Sequence, residues 1–264
     1  MNKNLQVAIQ AAIEAGEAIM EIYQKDFGVE YKADDSPLTE ADQKANKVIM
    51  EYLDKTEYPI ISEENKQTDY TERKQWRSCW IVDPLDGTKE FIKKNGEFTV
   101  NIALVHEQKT SLGVIYVPAT KVLYYADASE ELAEKVQLDK PVYNLDFIQK
   151  NKKAIQPKED VDSLRIVGSR SHMNEDTTQF INNQKTNKKI EVVSKGSSLK
   201  FCLVADGDAD IYPRFAPTME WDTAAGQAIC KAVGLQVIDQ KTGEEMLYNR
   251  ENLLNNYFMV SNQK

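Results

Sequence analysis

The stretch CWIVDPLDGTK, residues 79–89, contains the pattern that decides how this chain is interpreted. An apolar run typical of a buried β-strand reaches Val82, and two aspartates, Asp83 and Asp86, follow it directly. Carboxylate and carbonyl oxygens are the ligands that Mg²⁺ prefers, and the end of a strand holds such oxygens rigidly. The stretch therefore predicts a metal cluster that includes both aspartates and the carbonyl oxygen of Leu85.

The residues after the two aspartates predict a place for phosphate. Gly87 and Thr88 stand where a helix is expected to begin, and backbone N–H groups at a helix start bind anions. Asp-Pro and Asp-Gly pairs are also common turn formers, so this segment alone is compatible with an ordinary turn. The metal interpretation needs carboxylates from elsewhere in the chain.

Further carboxylates occur at two distant points of the sequence. Glu63 and Glu64 follow a short apolar strand, and Asp222 precedes a helical pattern. Taken singly, the first two are typical of a solvated loop and the third of a helix cap. Their combination with Asp83 and Asp86 favours one shared metal site.

Composition excludes several classes of protein. The chain has 264 residues, 41% hydrophobic and 28% charged, as in a folded soluble protein, and no apolar run approaches the length of a membrane span. Without a secretory signal at the amino terminus, a cytoplasmic location is expected. The net charge of −9 disfavours nucleic acid as a partner. Three cysteines without C-x-x-C spacing indicate buried thiols in a reducing compartment: Cys79, Cys202 and Cys230.

The order of predicted elements divides the chain in two. An amphipathic helix over residues 5–23 and a second helix with Asp42 in its first turn precede a run of short strands. A polar, lysine-rich stretch at 150–163 follows, and beyond it strands and helices alternate. We predict an N-terminal α+β domain, 1–150, with most of the metal ligands, and a C-terminal α/β domain, 151–264, with Asp222 and the specificity residues.

Together these residues resemble the signature of the inositol monophosphatase superfamily of Mg²⁺-dependent, lithium-sensitive phosphatases. The resemblance extends from about Leu5 to Val237 and implies the layered αβαβα sandwich of the inositol monophosphatase and fructose-1,6-bisphosphatase type. Four longer strings are similar to the bacterial CysQ branch of 3′(2′),5′-bisphosphate nucleotidases: residues 83–91, 95–103, 196–205 and 212–215.

The resemblance also implies the cofactor and its ligands, two or three Mg²⁺ ions in one active site. One ion is expected on Glu63, Asp83 and the Leu85 carbonyl, and a second on Asp83, Asp86 and Asp222. Glu63 is chosen over Glu64 because it directly follows Ser62, as the ligand does in the family motif. Thr88 and Asp42 are expected to hold and deprotonate the attacking water.

The substrate contacts implied by the resemblance lie mostly in the second half of the chain. Lys200 and Arg214 are expected on the phosphate that is not cleaved, with Ser198 nearby, while Gly87 and Thr88 receive the cleaved phosphate. Ser171 or His172, where a strand ends and a helix is predicted to begin, is expected near the adenosine, with an ordinary helix cap as the alternative.

The function implied is a Mg²⁺-dependent phosphoric monoester hydrolase that converts adenosine 3′,5′-bisphosphate (PAP) to AMP in sulfur metabolism, with PAPS as a further candidate substrate. The nearest alternative is an inositol monophosphatase, or a sugar-bisphosphate or NADP phosphatase, of the same superfamily. A non-catalytic metal or nucleotide sensor is the alternative from another class. Homodimer formation and peripheral association with the inner membrane are further expectations.

Overall fold

The structure is a computed structural model in which residues 1–25, 30–31, 37–169 and 174–263 are described. The helices are α1 Lys3–Tyr23, α2 Glu40–Leu53, α3 Tyr70–Arg73, α4 Thr88–Ile92, α5 Leu145–Asn151, α6 Glu175–Asn182, α7 Leu199–Ala205 and α8 Glu220–Ala232. The strands are β1 Glu30–Tyr31, β2 Pro37–Leu38, β3 Ile60–Ser62, β4 Ser78–Asp86, β5 Thr99–His106, β6 Lys109–Val117, β7 Val122–Asp127, β8 Leu132–Gln137, β9 Lys153–Ala154, β10 Ser163–Ser169, β11 Lys189–Lys195, β12 Ile211–Arg214, β13 Val237–Asp239 and β14 Phe258–Ser261.

The first two long helices each begin after a residue whose side chain caps the helix. The side chain of Asn2 accepts a hydrogen bond from the backbone N–H of Asn4 at the start of α1. At the start of α2, Thr39 and Asp42 form a capping box, in which each side chain bonds the other residue's backbone. Both helices bury their apolar stripes against one face of the first sheet.

The first sheet has the strand order β3-β4-β5-β6-β7-β8-β9. The β3 and β4 strands are parallel and the other pairs are antiparallel. We expected β4 to end at Val82, but it continues to Asp86, because Asp83 pairs with Asn101 and Asp86 with Thr99 across a register shift. The bulge brings both aspartates to the same end of the strand.

The second sheet has the order β11-β10-β12-β14-β13, in which β10 is parallel to β11 and β12. The helices α7 and α8 lie between the two sheets, in an apolar cluster that includes Phe201 and Ile229 with residues of both. On the outer face, Phe180 and Ile181 of α6 cover Leu164 and Ile166. The expected five-layer αβαβα sandwich is therefore confirmed.

The two sheets are formed by successive parts of the chain. Strands of the first sheet lie between residues 60 and 154 and those of the second between 163 and 261, while the two-domain division itself stays a prediction. Among the residues that the structure describes, no helix combines the length and apolar character needed to cross a membrane.

The contact between α8 and the first sheet requires a glycine. A Cβ atom at Gly113 of β6 would lie 2.5 Å from the carbonyl oxygen of Ala225 and 2.7 Å from the Cβ atom of Ala228. Only glycine allows this close approach of the helix to the strand, and the approach sets the height of α8 above the sheet.

We predict that Gly113→Ala lowers the free energy of unfolding by about 1–3 kcal/mol, because the added methyl group overpacks the contact between α8 and β6. Urea denaturation measures the change. Lys109→Ala, in the same strand but exposed, is the control and should stay within about 0.5 kcal/mol of the parent protein. Equal stabilities of the two variants would show that α8 does not rest on this strand as described.

Candidate active site

The residues singled out from the sequence meet in one cavity of about 450 Å³. The cavity lies where strands β3 and β4 end and where helices α4, α7 and α8 begin. Its lining includes most of the predicted metal and substrate residues: Glu63, Asp83, Leu85, Asp86, Gly87, Thr88, Ser198, Lys200, Arg214 and Asp222. Ser171 and His172 lie outside the described residues, so their predicted role stays a prediction.

Three carboxylates from three separate places in the chain form the centre of the site. Glu63, Asp83 and Asp222 each place an oxygen within 4.8 Å of the others. The backbone N–H of Glu63 donates to the Val82 carbonyl at 3.1 Å, which fixes the residue beside the end of β4. One oxygen of Asp222 accepts the N–H of Met219 at 2.8 Å at the start of α8, and the other is left for a ligand.

Burial and mutual repulsion dominate the electrostatics of this cluster. Asp83 is only 2% exposed, and its pKa is raised well above the usual value by burial and then by the charges of Glu63, Asp86 and Asp222. Burial, with Asp86 and Glu63, also raises the pKa of Asp222 to about 8. Oxygen donors crowded together with excess negative charge are the environment that a hard divalent cation stabilises. The donor set therefore fits the predicted metal.

Asp86 lines the same cavity, and its carboxylate is held by hydrogen bonds from Ser198 and Asn101. Its carboxylate accepts hydrogen bonds from Ser198 Oγ at 2.5 Å and from Asn101 Nδ2 at 3.3 Å. Ser198 is 2% exposed, and its hydroxyl also lies 2.9 Å from the Asp222 carbonyl oxygen. The structure thus gives Ser198 a contact with two predicted ligand residues, while its predicted contact with substrate stays a prediction.

Asn101 is a site residue that the sequence analysis did not single out. It is buried in β5, it donates to Ser198 Oγ at 2.7 Å, and it thereby supports the hydroxyl that bonds Asp86. The available signal was its position within the string 95–103, since a buried asparagine has no pattern of its own.

Asp42 and Thr88 also come together, although 46 residues separate them in sequence. Thr88 Oγ1 lies 3.1 Å from one oxygen of Asp42 and 3.3 Å from the Leu85 carbonyl. The other oxygen of Asp42 accepts two hydrogen bonds from Thr39, both at 2.7 Å. Burial raises the pKa of Asp42, and the bonds from Thr39 and Thr88 offset part of that rise. Their roles as a water-activating pair stay predictions.

Two of the predicted substrate residues that line the same cavity are cations. Lys200 of α7 is 6% exposed, its ammonium donates to the Ser197 carbonyl, and it lies 5.7 Å from the centre of the Tyr212 ring. Burial lowers the pKa of Lys200 to about 8, although Asp86 opposes the shift. Arg214 Nη2 donates to the Pro217 carbonyl at 3.2 Å, and its buried Nε has no hydrogen-bond partner among the described residues. The pair leaves donor capacity facing the cavity, which suits an anionic group.

Comparison with known proteins gives consistent matches over the whole chain. The curated 3′(2′),5′-bisphosphate nucleotidase CysQ of Salmonella typhimurium is 43% identical over 262 residues, which cover 97% of this chain and 99% of that protein. CysQ of Escherichia coli K12 is 42% identical over 257 residues, covering 96% of this chain and 97% of that protein.

A solved structure agrees with these matches. The crystal structure of CysQ from Bacteroides thetaiotaomicron, described as a bacterial member of the inositol monophosphatase family, is 46% identical. It superposes with a TM-score of 0.87 over 99% of this chain and 98% of that chain. The model of the inositol monophosphatase family matches residues 1–264, and enzymes of that family are metal-dependent. With its fold, its acidic cluster and these matches in agreement, the chain belongs to the inositol monophosphatase family.

Proposed function

We propose that this chain is a 3′(2′),5′-bisphosphate nucleotidase that removes the 3′-phosphate of PAP and releases AMP. The observation that carries the proposal is one cavity lined both by the four predicted carboxylate ligands and by the buried Lys200 with Arg214. A substrate with two phosphates matches both sets of groups. The full-length relatives named as nucleotidases of this kind support the same assignment. A role in sulfur metabolism is part of the proposal.

The acidic cluster in the cavity would hold two or three Mg²⁺ ions. The residues that would bind them are Glu63, Asp83, Asp86, Asp222 and the carbonyl of Leu85. When bound, the ions would offset the crowded negative charge, lower the pKa of a nearby water and stabilise the charge of the leaving ester oxygen.

Asp42 and Thr88 would position and deprotonate the attacking water. The hydrogen bond between them fixes the Thr88 hydroxyl next to the Leu85 carbonyl, at the edge of the carboxylate cluster. Because burial raises the pKa of Asp42, its carboxylate would be a stronger base than an exposed aspartate. Thr39 holds the second oxygen of Asp42, so the carboxylate keeps one orientation.

Lys200 and Arg214 would bind the phosphate that is not cleaved. Lys200 is held by its Ser197 bond and by the Tyr212 ring, which leaves its remaining donors for a ligand. Arg214 offers a planar set of donors that matches phosphate oxygens. The backbone N–H groups of Gly87 and Thr88 would receive the cleaved phosphate at the start of α4.

Lys200→Ala is expected to reduce kcat/KM for PAP by roughly 10–150-fold, the value of a charged hydrogen bond of about 1.5–3 kcal/mol. Inositol monophosphate lacks the second phosphate, so any turnover of it should change little. Phosphate release over PAP, inositol phosphates and NADP measures both, and the exposed Lys189→Ala is the control. Equal losses on mono- and bisphosphates would favour the alternative inositol or sugar phosphatase.

Asp42→Asn and Thr88→Val should each lower kcat for PAP by about 100-fold or more, because each disrupts the pair that activates water. KM and the affinity for Mn²⁺ should change little, since neither residue is a proposed ligand. Steady-state kinetics measure the effect, and Glu40→Gln, exposed in the same first turn of α2, is the control. Wild-type turnover in either variant would remove that residue from the chemistry.

Without bound cations, repulsion between the carboxylates of the acidic cluster should make the stability of the protein depend on pH. Because the pKa of Asp222 is raised from 3.8 to about 8 in the folded protein, the folded state binds more protons than the unfolded chain between these pH values. The protein in EDTA should therefore lose stability as pH rises from about 4 to 8, by at most about 1.4 kcal/mol per pH unit for this group.

Asp222→Asn should weaken that pH dependence in EDTA, yet it should abolish most of the stabilisation that Mg²⁺ gives the parent protein. Thermal unfolding at several pH values, with EDTA or Mg²⁺, tests both statements. The exposed Glu130→Gln variant should follow the parent protein throughout. A parent protein that Mg²⁺ does not stabilise would contradict the proposed metal site, and would favour neither a hydrolase nor a metal sensor.

The phosphate-release assay also separates the proposal from a non-catalytic sensor. A sensor would bind cation or nucleotide without releasing phosphate at any Mg²⁺ concentration. Homodimer formation, peripheral membrane association and a cytoplasmic location stay predictions.

A further inference from the structure

The proposed ligands belong to two separate parts of the molecule. Glu63 and Asp83 come from the end of the first sheet, whereas Asp222 comes from the first turn of α8. Because the three carboxylates repel one another, contacts elsewhere in the fold must help to hold the helix start against the sheet. The apolar contact of α8 with the sheets sets its general position and extends to Met219 and Trp221 at the start of the helix, where polar contacts add to it.

A loop near the end of the chain bonds the start of α8. The oxygens of Glu220 accept the backbone N–H of Asn249 at 2.6 Å and both the N–H and Nε of Arg250, at 3.1 and 3.0 Å. Nδ2 of Asn255 donates to the Met219 carbonyl at 2.7 Å. The loop therefore holds the two residues that come just before Trp221 and Asp222.

The same loop bonds the segment that follows Glu63. Nη1 of Arg73, at the end of α3, donates to Oδ1 of Asn249 at 2.7 Å and to the Arg250 carbonyl at 3.1 Å. Nδ2 of Asn249 returns a bond to the Arg73 carbonyl at 2.8 Å. Nε of Arg73 donates to the Thr68 carbonyl at 2.9 Å, in the loop that begins at Glu63. Asn249 thus joins the Glu63 side of the cavity to the Asp222 side.

These polar groups are buried in the protein and do not line the cavity. Arg73 is 3% exposed, Asn249 is 5% exposed and Glu220 is fully buried, and none of the three is among the lining residues. The charges of both Glu220 and Arg73 act on the thiol of Cys79 in β4, which places them against the first sheet. A buried network whose members all find partners holds one arrangement and resists others.

We propose that Arg73, Asn249 and Glu220 form a clamp that positions Asp222 against Glu63 and Asp83, and so sets the affinity of the site for divalent cations. The clamp holds the mutually repelling carboxylates at their binding distance before a cation binds. Less of the binding free energy is then used to bring the carboxylates together, and the affinity for the cation is higher. Its members are positioning residues. The inference rests on the proposed function, since it takes the acidic cluster as the cation site.

The test uses two variants that weaken the clamp without removing a ligand. Arg73→Lys keeps the charge and loses the planar set of donors. Asn249→Gly removes the bridging amide and suits the backbone, because Asn249 has a φ of 54°. Titration of free Mn²⁺ followed by electron paramagnetic resonance measures binding without any turnover. We expect the dissociation constant for Mn²⁺ to rise about 10–100-fold in each variant, as for partners that orient metal ligands.

Two matched variants separate positioning from general loss of stability. Arg165→Lys weakens a different interaction of an arginine, the partly buried ion pair with Asp210 at 2.8 Å, in the second sheet and outside the lining of the cavity. It should lower the unfolding temperature to a similar extent and leave Mn²⁺ affinity unchanged. Asp222→Asn removes a proposed ligand. High Mg²⁺ concentration should restore phosphate release from PAP in the clamp variants but not in Asp222→Asn.

Each outcome bears on the proposal. Folded clamp variants with the parent affinity for Mn²⁺ would overturn the clamp alone, because the parent protein would still bind Mn²⁺ and hydrolyse PAP. An equal rise in the dissociation constant for Arg165→Lys would also overturn it, since the effect would then be general destabilisation. If the parent protein binds no Mn²⁺, the clamp and the proposed function fail together.

Discussion

Repulsion between crowded carboxylates is the constraint on which the rest of this structure depends. Oxygens of Glu63, Asp83 and Asp222 lie within 4.8 Å of one another. Burial and the charges of neighbouring carboxylates raise the cost of ionising both Asp83 and Asp222. If nothing else held these carboxylates, the repulsion between them would drive them apart. Here two sheets, a glycine contact and a hydrogen-bonded loop keep them together, so the stability of the scaffold maintains an arrangement that is suited to a cation.

Much of the site could be predicted from the sequence because its residues occur where elements end. Aspartates after an apolar strand, as at Asp83 and Asp86, or beside a capping position, as at Asp42 and Asp222, are visible as local patterns. The layered fold followed from the same strings through their resemblance to a family. The pairing of Asp42 with Thr88 required that resemblance, since no local pattern joins residues so far apart.

Other features depend on contacts that no local pattern records. Strand β8 was not predicted because Glu134 and Lys135 interrupt its apolar residues, and β14 was not predicted because it follows a polar stretch and inserts between β12 and β13. The bond between Arg73 and Asn249 joins residues 176 positions apart. Buried polar side chains of this kind resemble exposed ones in a sequence, since only the fold decides which of them are covered.

The capping geometry of two aspartates has a consequence for how this enzyme could evolve. In Asp42 and in Asp222, one carboxylate oxygen accepts a hydrogen bond from the residue that caps the same helix, and the other oxygen takes part in the proposed chemistry. If a duplicated gene lost its activity by mutation, replacing either aspartate with an arbitrary residue would also remove a capping hydrogen bond and destabilise the start of α2 or α8. Asparagine keeps the acceptor and loses the charge, so it is the replacement by which a pseudoenzyme could arise from this scaffold while remaining folded.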